Sequence, residues 1–525
     1  MKRTQRLRLP EWVTAGAAFI YYWVMALYKL TEAPIWQDEA MEFYCSIPVR
    51  GAIRGVTEYA TMYERMAYIQ QQPPLYNWVM CLWLQVSEGE WWYRFSSAVF
   101  GFIAAIGLYA VIRKLCDRCM AAFCVVIYSS IYILMYYIKE ASEYSLLIML
   151  LFWLVYVWLL ICERMDGRRI FLFTLLCVLS VYTHYGAAFV VAPFGISVLV
   201  MAACNRDWKS FRLGLGMDVA AGGIGGFALL YYFVIPQSSN HVSTLFSEKE
   251  IMIEKGNIVY DFLYSLMWVF KWSTIDIDRD WEKIWWLIVA AMIVIACIIV
   301  FVAVKSKRDV FRKYVYCNIA VYLIYYVVTK LNIYAYGWYG NRYNMFLFPL
   351  WFVMIAVSLY EFVMILRQSS NQIIAVNGAK VIQFGLVFAG LLYCLYGDYR
   401  IHCHWAKMDL RTVVAEWYVN EGYEIPTILD FHQRYGFTYY FTHDENYDEA
   451  QWENIVYNDS VEPYDAESGT QVWKDYLNSV YHDQIPDELF LVTGRWNDFV
   501  DTFVELGYTV EPVVDTTAKL YYMKK

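Results

Sequence analysis

The sequence predicts a mainly α, polytopic membrane protein with about eleven or more transmembrane helices and a small C-terminal extracytoplasmic α/β domain. Three observations carry that reading. Apolar runs of roughly 18 to 24 residues recur along most of the chain, each long enough to cross about 30 Å of hydrocarbon as a helix. Apolar residues make up 60% of the 525 positions and charged ones only 18%, more apolar surface than a soluble fold needs. After Asp398 the composition changes to that of a soluble module. Backbone amides in lipid must be satisfied internally, so the apolar runs are helices.

The N-terminus carries Lys2, Arg3, Arg6 and Arg8, and the positive-inside rule places it in the cytoplasm. The first run, 12–30, is too long for a signal-peptide core and no small-x-small site follows it, so it stays as a span. Residues 31–75 then form an outer loop whose Arg50, Arg54, Glu58, Glu64 and Arg65 suit short helices on the membrane surface. Residues 76–86 are apolar but too short to span comfortably and read as re-entrant or interfacial. The remaining spans fall near 94–112, 120–138, 144–162, 170–183, 185–204, 214–235, 282–304, 314–331, 343–366 and 381–397. With this choice the basic loops, among them Arg113-Lys114, Arg168-Arg169, Lys307-Arg308 and Arg367, all lie in the cytoplasm. The odd number of crossings puts the C-terminus outside.

Residues 236–280 make a second long outer loop, with an amphipathic Ile258–Trp272 along the interface. Gly222, Gly223, Gly225 and Gly226 predict close approach of a neighbouring helix. The domains are thus a transmembrane part, 1–397, with outer loops 31–75 and 236–280, and an extracytoplasmic α/β part, 398–525. In the latter, helices are expected over Met408–Asn420, Gln471–Tyr481 and Trp496–Leu506. Strands are expected at Thr427–Phe431, Leu489–Thr493, near Tyr508–Val513 and at Lys519–Met523.

Several functions are disfavoured. No basic stripe with interleaved aromatics points to nucleic acid. Most of the twelve cysteines lie inside apolar runs and act as small hydrophobes. Cys116-x-x-Cys119 lacks a second pair or a nearby His, and His402 and His404 alternate as in a strand or loop, so neither predicts a metal site. Cys45 and Cys403 are both placed outside, where a bridge between them is an option.

Ionisable groups are costly inside a bilayer, so those at the outer ends of spans are candidates for function. Five places qualify: Asp38-Glu39, Arg94, Lys139-Glu140 with Glu143, His184 and Arg342. Each has a plainer alternative. The acidic pair can serve to stop the first span, the cations can snorkel to the interface, and His184 can be a satisfied interfacial residue.

Taken in order, Trp36-x-Asp38-Glu39-Ala40, Gln72-Pro73-Pro74-Leu75-Tyr76, Arg94-Phe95-Ser96-Ser97, Lys139-Glu140-Ala141-x-x-Tyr144, Thr183-His184-Tyr185 and Arg342-Tyr343 form a series. The series resembles the GT-C glycosyltransferases, in particular the branch containing protein O-mannosyltransferases and the lipid A aminoarabinose transferase. The resemblance covers about residues 10–370. It departs at Gln72, where the family often has His, and at Lys139, where it has Arg.

The resemblance implies a multi-pass cell-membrane enzyme that takes a polyprenyl-phosphate sugar as donor and a glycan, lipid or protein as acceptor, with membrane lipid around it and no nucleic acid. Asp38 would be the general base, with Glu39 orienting Asp38 or the acceptor. Arg94, Lys139 and Arg342 would hold the donor phosphate, with His184 and Tyr343 as further substrate contacts. Glu140 would be a second acidic contact to the sugar or a ligand of a divalent metal, which the family does not uniformly require. The competing reading from another class is a transporter or flippase of a polyprenyl-linked or anionic lipid. Such proteins more naturally show duplicated halves, and no internal repeat is visible.

Overall fold

The computed structural model describes residues 10–238, 281–306, 308–331, 333–334, 341–368, 372–403, 407–430, 433–457, 466–482, 484–494 and 498–525. Two compact units emerge. A membrane unit comprises Met1–Tyr28, Met66–Val79 and Trp92–His404, and a C-terminal unit comprises Lys29–Arg65, Met80–Trp91 and Trp405–Lys525. The C-terminal unit thus takes in most of the first outer loop. Ile258–Trp272, His404 and the side chain of His402 lie outside the described residues.

In the membrane unit a helix, or a bent pair of helices, stands at each expected span. Six are long and apolar enough to cross a membrane among the described residues, or seven with the bent pair. Three of the others fall short for identifiable reasons. Glu11–Leu27 and Gly167–Thr183 have 17 residues each, and Asp309–Lys330 carries Asp309, Arg312, Lys313 and Lys330. Leu75–Trp83, in the stretch read as non-spanning, has nine residues and would reach only about 13 Å at the α-helical rise.

Aspartates start three of these helices. Asp117, Asp166 and Asp207 accept from the backbone N–H of Met120, Arg169 and Ser210 at 2.9, 3.1 and 3.1 Å. The helices Arg118–Ser130 and Tyr132–Ile138 meet at 72°. At the break Ile131 is extended, and Ser129 and Ser130 donate back to the carbonyls of Val125 and Val126. Tyr21 locks the bend: its hydroxyl lies 2.6 Å from Ser130 Oγ and donates to Asp398 at 2.6 Å. Gly397, beside Asp398 on the helix Gln372–Cys403, passes so close that a Cβ there would stand 1.8 Å from the Ser130 carbonyl oxygen.

The glycine cluster behaves differently from expectation. A Cβ on Gly222, Gly223 or Gly226 would meet nothing within 4 Å, and only Gly225 has a neighbour, accepting from Tyr182 at 2.6 Å. The run Ala221–Gly226 is instead π-helical. Glycine's weak hold on α geometry is used for a wider turn rather than for tight packing.

The C-terminal unit holds a five-stranded sheet in the order β2-β1-β3-β5-β4. Its strands are β1 Thr427–Leu429, β2 Ile455–Tyr457, β3 Glu488–Thr493, β4 Thr509–Asp515 and β5 Lys519–Lys524. β1 runs parallel to β2 and β3, while β5 is antiparallel to β3 and β4. The expected helices are found at Leu410–Val419, Ala466–Tyr481 and Asp498–Glu505. Arg434–Thr442 is an additional helix. Trp417 is fully buried in the core and donates to Thr427 Oγ1 at 2.9 Å.

The segment Lys29–Arg65 is built into this unit. Gly55 has φ +77°, and a Cβ there would sit 2.3 Å from the Trp452 ring, so both its backbone and its packing require glycine. Arg65, expected on the surface, is fully buried. Its guanidinium donates to the carbonyls of Ile47, Val49 and Tyr59 at 2.7, 3.2 and 3.3 Å, which gathers the loop around one cation. The sequence spacing identified a charged loop residue but not the carbonyls waiting for it. Cys45 is buried and free, its thiol 3.8 Å from the Arg65 carbonyl.

Candidate functional site

Asp38 and Glu39 belong to the C-terminal unit, in the first turn of the helix Gln37–Ser46. Acids at that position suit the positive end of the helix dipole. Asp38 is partly exposed and Glu39 is buried. Lys407 Nζ donates to Glu39 Oε2 at 2.8 Å, with the two side chains 1% and 0% exposed. The same ammonium lies 5.5 Å from the centre of the Trp36 ring, within cation–π reach. Lys407 did not stand out in the sequence, because nothing local signals a partner 368 residues upstream.

Arg94, Lys139, Glu140, His184, Arg342 and Tyr343 belong to the membrane unit. Arg94 is fully buried, near the start of the helix Glu90–Leu115. Gly101, seven residues or two turns further on, shares its face, and a Cβ there would crowd Tyr22 and Ile138. That close approach brings the Arg94 helix against the residue preceding Lys139. Lys139 is buried and donates from Nζ to the Tyr28 carbonyl at 2.7 Å, just past the C-terminus of Glu11–Leu27. A cation there complements the negative helix end. Glu140 and Glu143 are each 3% exposed, and Glu143 opens the helix Glu143–Glu163.

His184 occupies the turn between the helices Gly167–Thr183 and Ala188–Cys204. Its Nδ1 accepts from the Gly186 N–H at 3.1 Å, which leaves Nε2 to carry the proton of the neutral ring. Burial pushes its pKa down to about 3, so the imidazole stays neutral at physiological pH. The rings of Tyr144 and Phe346 flank it at 5.9 and 6.3 Å. Phe346 lies in the 3-10 segment Asn341–Leu347, which also carries Arg342 and Tyr343. The Tyr343 carbonyl accepts from Tyr334 at 3.1 Å, and the side chain of Arg342 lies outside the described residues. The turn 139–144, His184 and the segment 341–347 therefore converge in one unit.

Gln237 ties a further element to this region. Its side chain donates to the carbonyls of Met66 and Gln72 at 3.0 and 2.9 Å and accepts from Tyr185 at 2.7 Å. The Gln72-Pro73-Pro74 turn, which leads into the helix Leu75–Trp83 as its prolines suggest, is thus held against the residue after His184. A lone Gln at a span end carries no sequence signal for this role.

An apolar cavity of about 480 Å³ opens among the helices Arg118–Ser130, Phe348–Arg367 and Gln372–Cys403. Phe123, Ile131, Phe348, Trp351 and Tyr393 line it, and Asn344 lies beside it in the segment that carries Tyr343. Such walls suit a hydrocarbon chain better than a sugar. Among the described residues no group of three or more His, Cys, Asp or Glu side chains could hold a metal ion. Cys116 and Cys119 are free.

Residues 71–239 match the family model of the dolichyl-phosphate-mannose-protein mannosyltransferases. The fold is similar to that of ArnT from Cupriavidus metallidurans bound to undecaprenyl phosphate, with a TM-score of 0.55, 11% identity and 97% of both chains covered. Both likenesses are to glycosyltransferases of the GT-C superfamily. A second GT-C structure, the Archaeoglobus fulgidus oligosaccharyltransferase in complex with Zn and sulfate, is similar over 91% of this chain and 67% of its own, with a TM-score of 0.50 and 12% identity. At these identities the likeness is one of fold. No curated protein matches by sequence. The GT-C resemblance read from the motif series is borne out. Gln72, Arg94, Lys139, Glu140 and His184 fall within the matched range, while Asp38, Glu39, Arg342 and Tyr343 fall outside it.

Proposed function

We propose that this chain is an inverting glycosyltransferase of the GT-C type that moves a sugar from a polyprenyl-phosphate donor to an acceptor hydroxyl on the outer face of the cell membrane. The observation that carries this reading is the match of residues 71–239 to a mannosyltransferase family within a fold similar to that of ArnT bound to undecaprenyl phosphate. The topology proposed with it has eleven crossings, a cytoplasmic N-terminus and an extracytoplasmic C-terminal unit.

In this mechanism the acceptor hydroxyl gives its proton to the Asp38 carboxylate as its oxygen bonds to the anomeric carbon. The bond from that carbon to the phosphate oxygen breaks on the opposite face, and the lipid phosphate leaves with the electron pair. One displacement inverts the anomeric centre. Phosphate is already a good leaving group, so the donor needs cations rather than an acid. Arg94, Lys139 and Arg342 are assigned that task, and His184, Tyr343 and Glu140 the sugar. The isoprenoid chain is assigned to the cavity beside Phe348 and Trp351.

The test is transfer of labelled sugar by the purified full-length protein from a panel of undecaprenyl-phosphate sugars to a membrane extract. Time-dependent appearance of labelled acceptor supports the enzyme. No transfer from any donor, combined with movement of the lipid across vesicles, would establish the flippase instead. In the same assay EDTA is expected to leave the rate within about twofold, since cationic side chains are assigned the phosphate charge. Loss of activity restored by Mg²⁺ or Mn²⁺ would make Glu140 a metal ligand.

A further inference from the structure

We infer that Lys407 is a positioning residue for Asp38, which makes the C-terminal unit part of the catalytic apparatus. This inference rests on the reading of Asp38 as general base.

The N-terminus of the helix Gln37–Ser46 is gripped at three points around Asp38, all within one unit. The Ile35 N–H donates to the Tyr440 hydroxyl at 2.6 Å. The Lys407 ammonium lies over the ring of Trp36, the residue that precedes the helix. That ammonium also bonds Glu39 at 2.8 Å. Residues 35, 36 and 39 are thus fixed, and Asp38 is carried between them with its side chain left partly exposed.

Lys407 is itself rigidly held. Its carbonyl accepts from the Thr517 hydroxyl, and that hydroxyl oxygen in turn accepts from the Asp409 N–H at 3.0 Å. Thr517 lies in the turn between β4 and β5. Asp409 in turn caps Leu410–Val419 through the Thr412 N–H at 3.2 Å. The grip on the acidic helix therefore runs back into the sheet. A residue chosen only to neutralise a stray carboxylate would not need both a ring beneath its ammonium and a backbone carbonyl held from the sheet's turn.

A buried pair is also a poor choice for stability alone, because desolvation offsets most of its attraction. What it provides is a fixed geometry, and a general base needs its oxygen held to a fraction of an ångström. The buried Glu39 carboxylate is spent on Lys407, which favours its assignment as the residue that orients Asp38 over direct contact with the acceptor.

The experiment measures kcat and donor KM for the parent, Asp38→Asn, Lys407→Met, Lys407→Arg and the double variant Glu39→Gln/Lys407→Met. The double variant removes both charges and leaves no lone buried ion, so it tests the grip in a folded protein. Its kcat is expected to fall about 10- to 100-fold with donor KM within about twofold, and Lys407→Met to fall at least as far. Lys407→Arg, which keeps the charge and the stacking, is expected to recover most of the rate. A double variant with parental kcat, while Asp38→Asn is inactive, would overturn the role of Lys407 and leave Asp38 in place. An active Asp38→Asn would overturn the base reading and this inference with it.

Discussion

Asp38→Asn is expected to lower transfer from a polyprenyl-phosphate sugar by about 100-fold or more while donor binding is retained, the usual loss when a positioned general base is removed. The substitution keeps size and shape and removes the negative charge, and with it the capacity to take a proton. The helix should stay in register, because the backbone of Ile35, the Trp36 ring and the Glu39 carboxylate still anchor it. A neutral Asn also leaves Glu39 in the first turn to match the helix dipole. The measurement is single-turnover transfer at saturating donor, with donor affinity determined separately. Parental turnover in the variant would take Asp38 out of the mechanism and move attention to Glu140.

The largest expected effect on stability lies in the membrane unit. Gly397→Ala should destabilise the folded protein by about 3 kcal/mol, at the upper end of the range for overpacking. The reason is geometric: the added carbon would stand 1.8 Å from the Ser130 carbonyl oxygen, a backbone atom that cannot swing away as a side-chain tip could. Relief would require the helix Gln372–Cys403 to back off, which would also pull Asp398 away from Tyr21. Gly385, on the same helix, meets nothing within 4 Å, and Gly385→Ala should be neutral or slightly stabilising through helix propensity. Thermal unfolding of both variants in one detergent checks the contrast. If Gly397→Ala melts with the parent, the close approach at the bend is wrong.

The helical architecture was legible because a bilayer imposes a length and a composition on anything that crosses it. Of the three parallel strands, β1 and β3 were legible and β2 was not. β2, Ile455–Tyr457, is three residues long and follows an acidic stretch, too short for any periodicity to show. The helix Arg434–Thr442 is rich in aromatic and β-branched residues, which favour strands locally, and tertiary packing of Phe437 and Phe441 against Trp417 overrides that preference. The candidate residues around Lys139 and His184 were legible as ionisable groups at span ends. Lys407, Gln237 and Arg65 were not, since each acts on groups scattered through the chain. The four glycines misled because small residues in a span suggest close packing and loosened helix geometry equally well.

The C-terminal unit is assembled from three separate pieces of chain, and this has a consequence for how the protein is made. Glu39 leaves the ribosome 368 residues before the lysine that neutralises it, and Ile35 precedes its partner Tyr440 by 405. At about 5 to 20 residues per second, some 20 to 70 s separate the two halves of the ion pair during synthesis. Throughout that interval the acidic segment stands without the β-sheet that will complete it, and its apolar residues Phe43 and Val56 have no core to enter. A ribosome that stalls or terminates within the last hundred residues would release a chain whose membrane unit is complete and whose acidic segment has no sheet to fold against. Such a product offers membrane quality control an exposed, protease-sensitive handle at the opposite end of the chain from the fault.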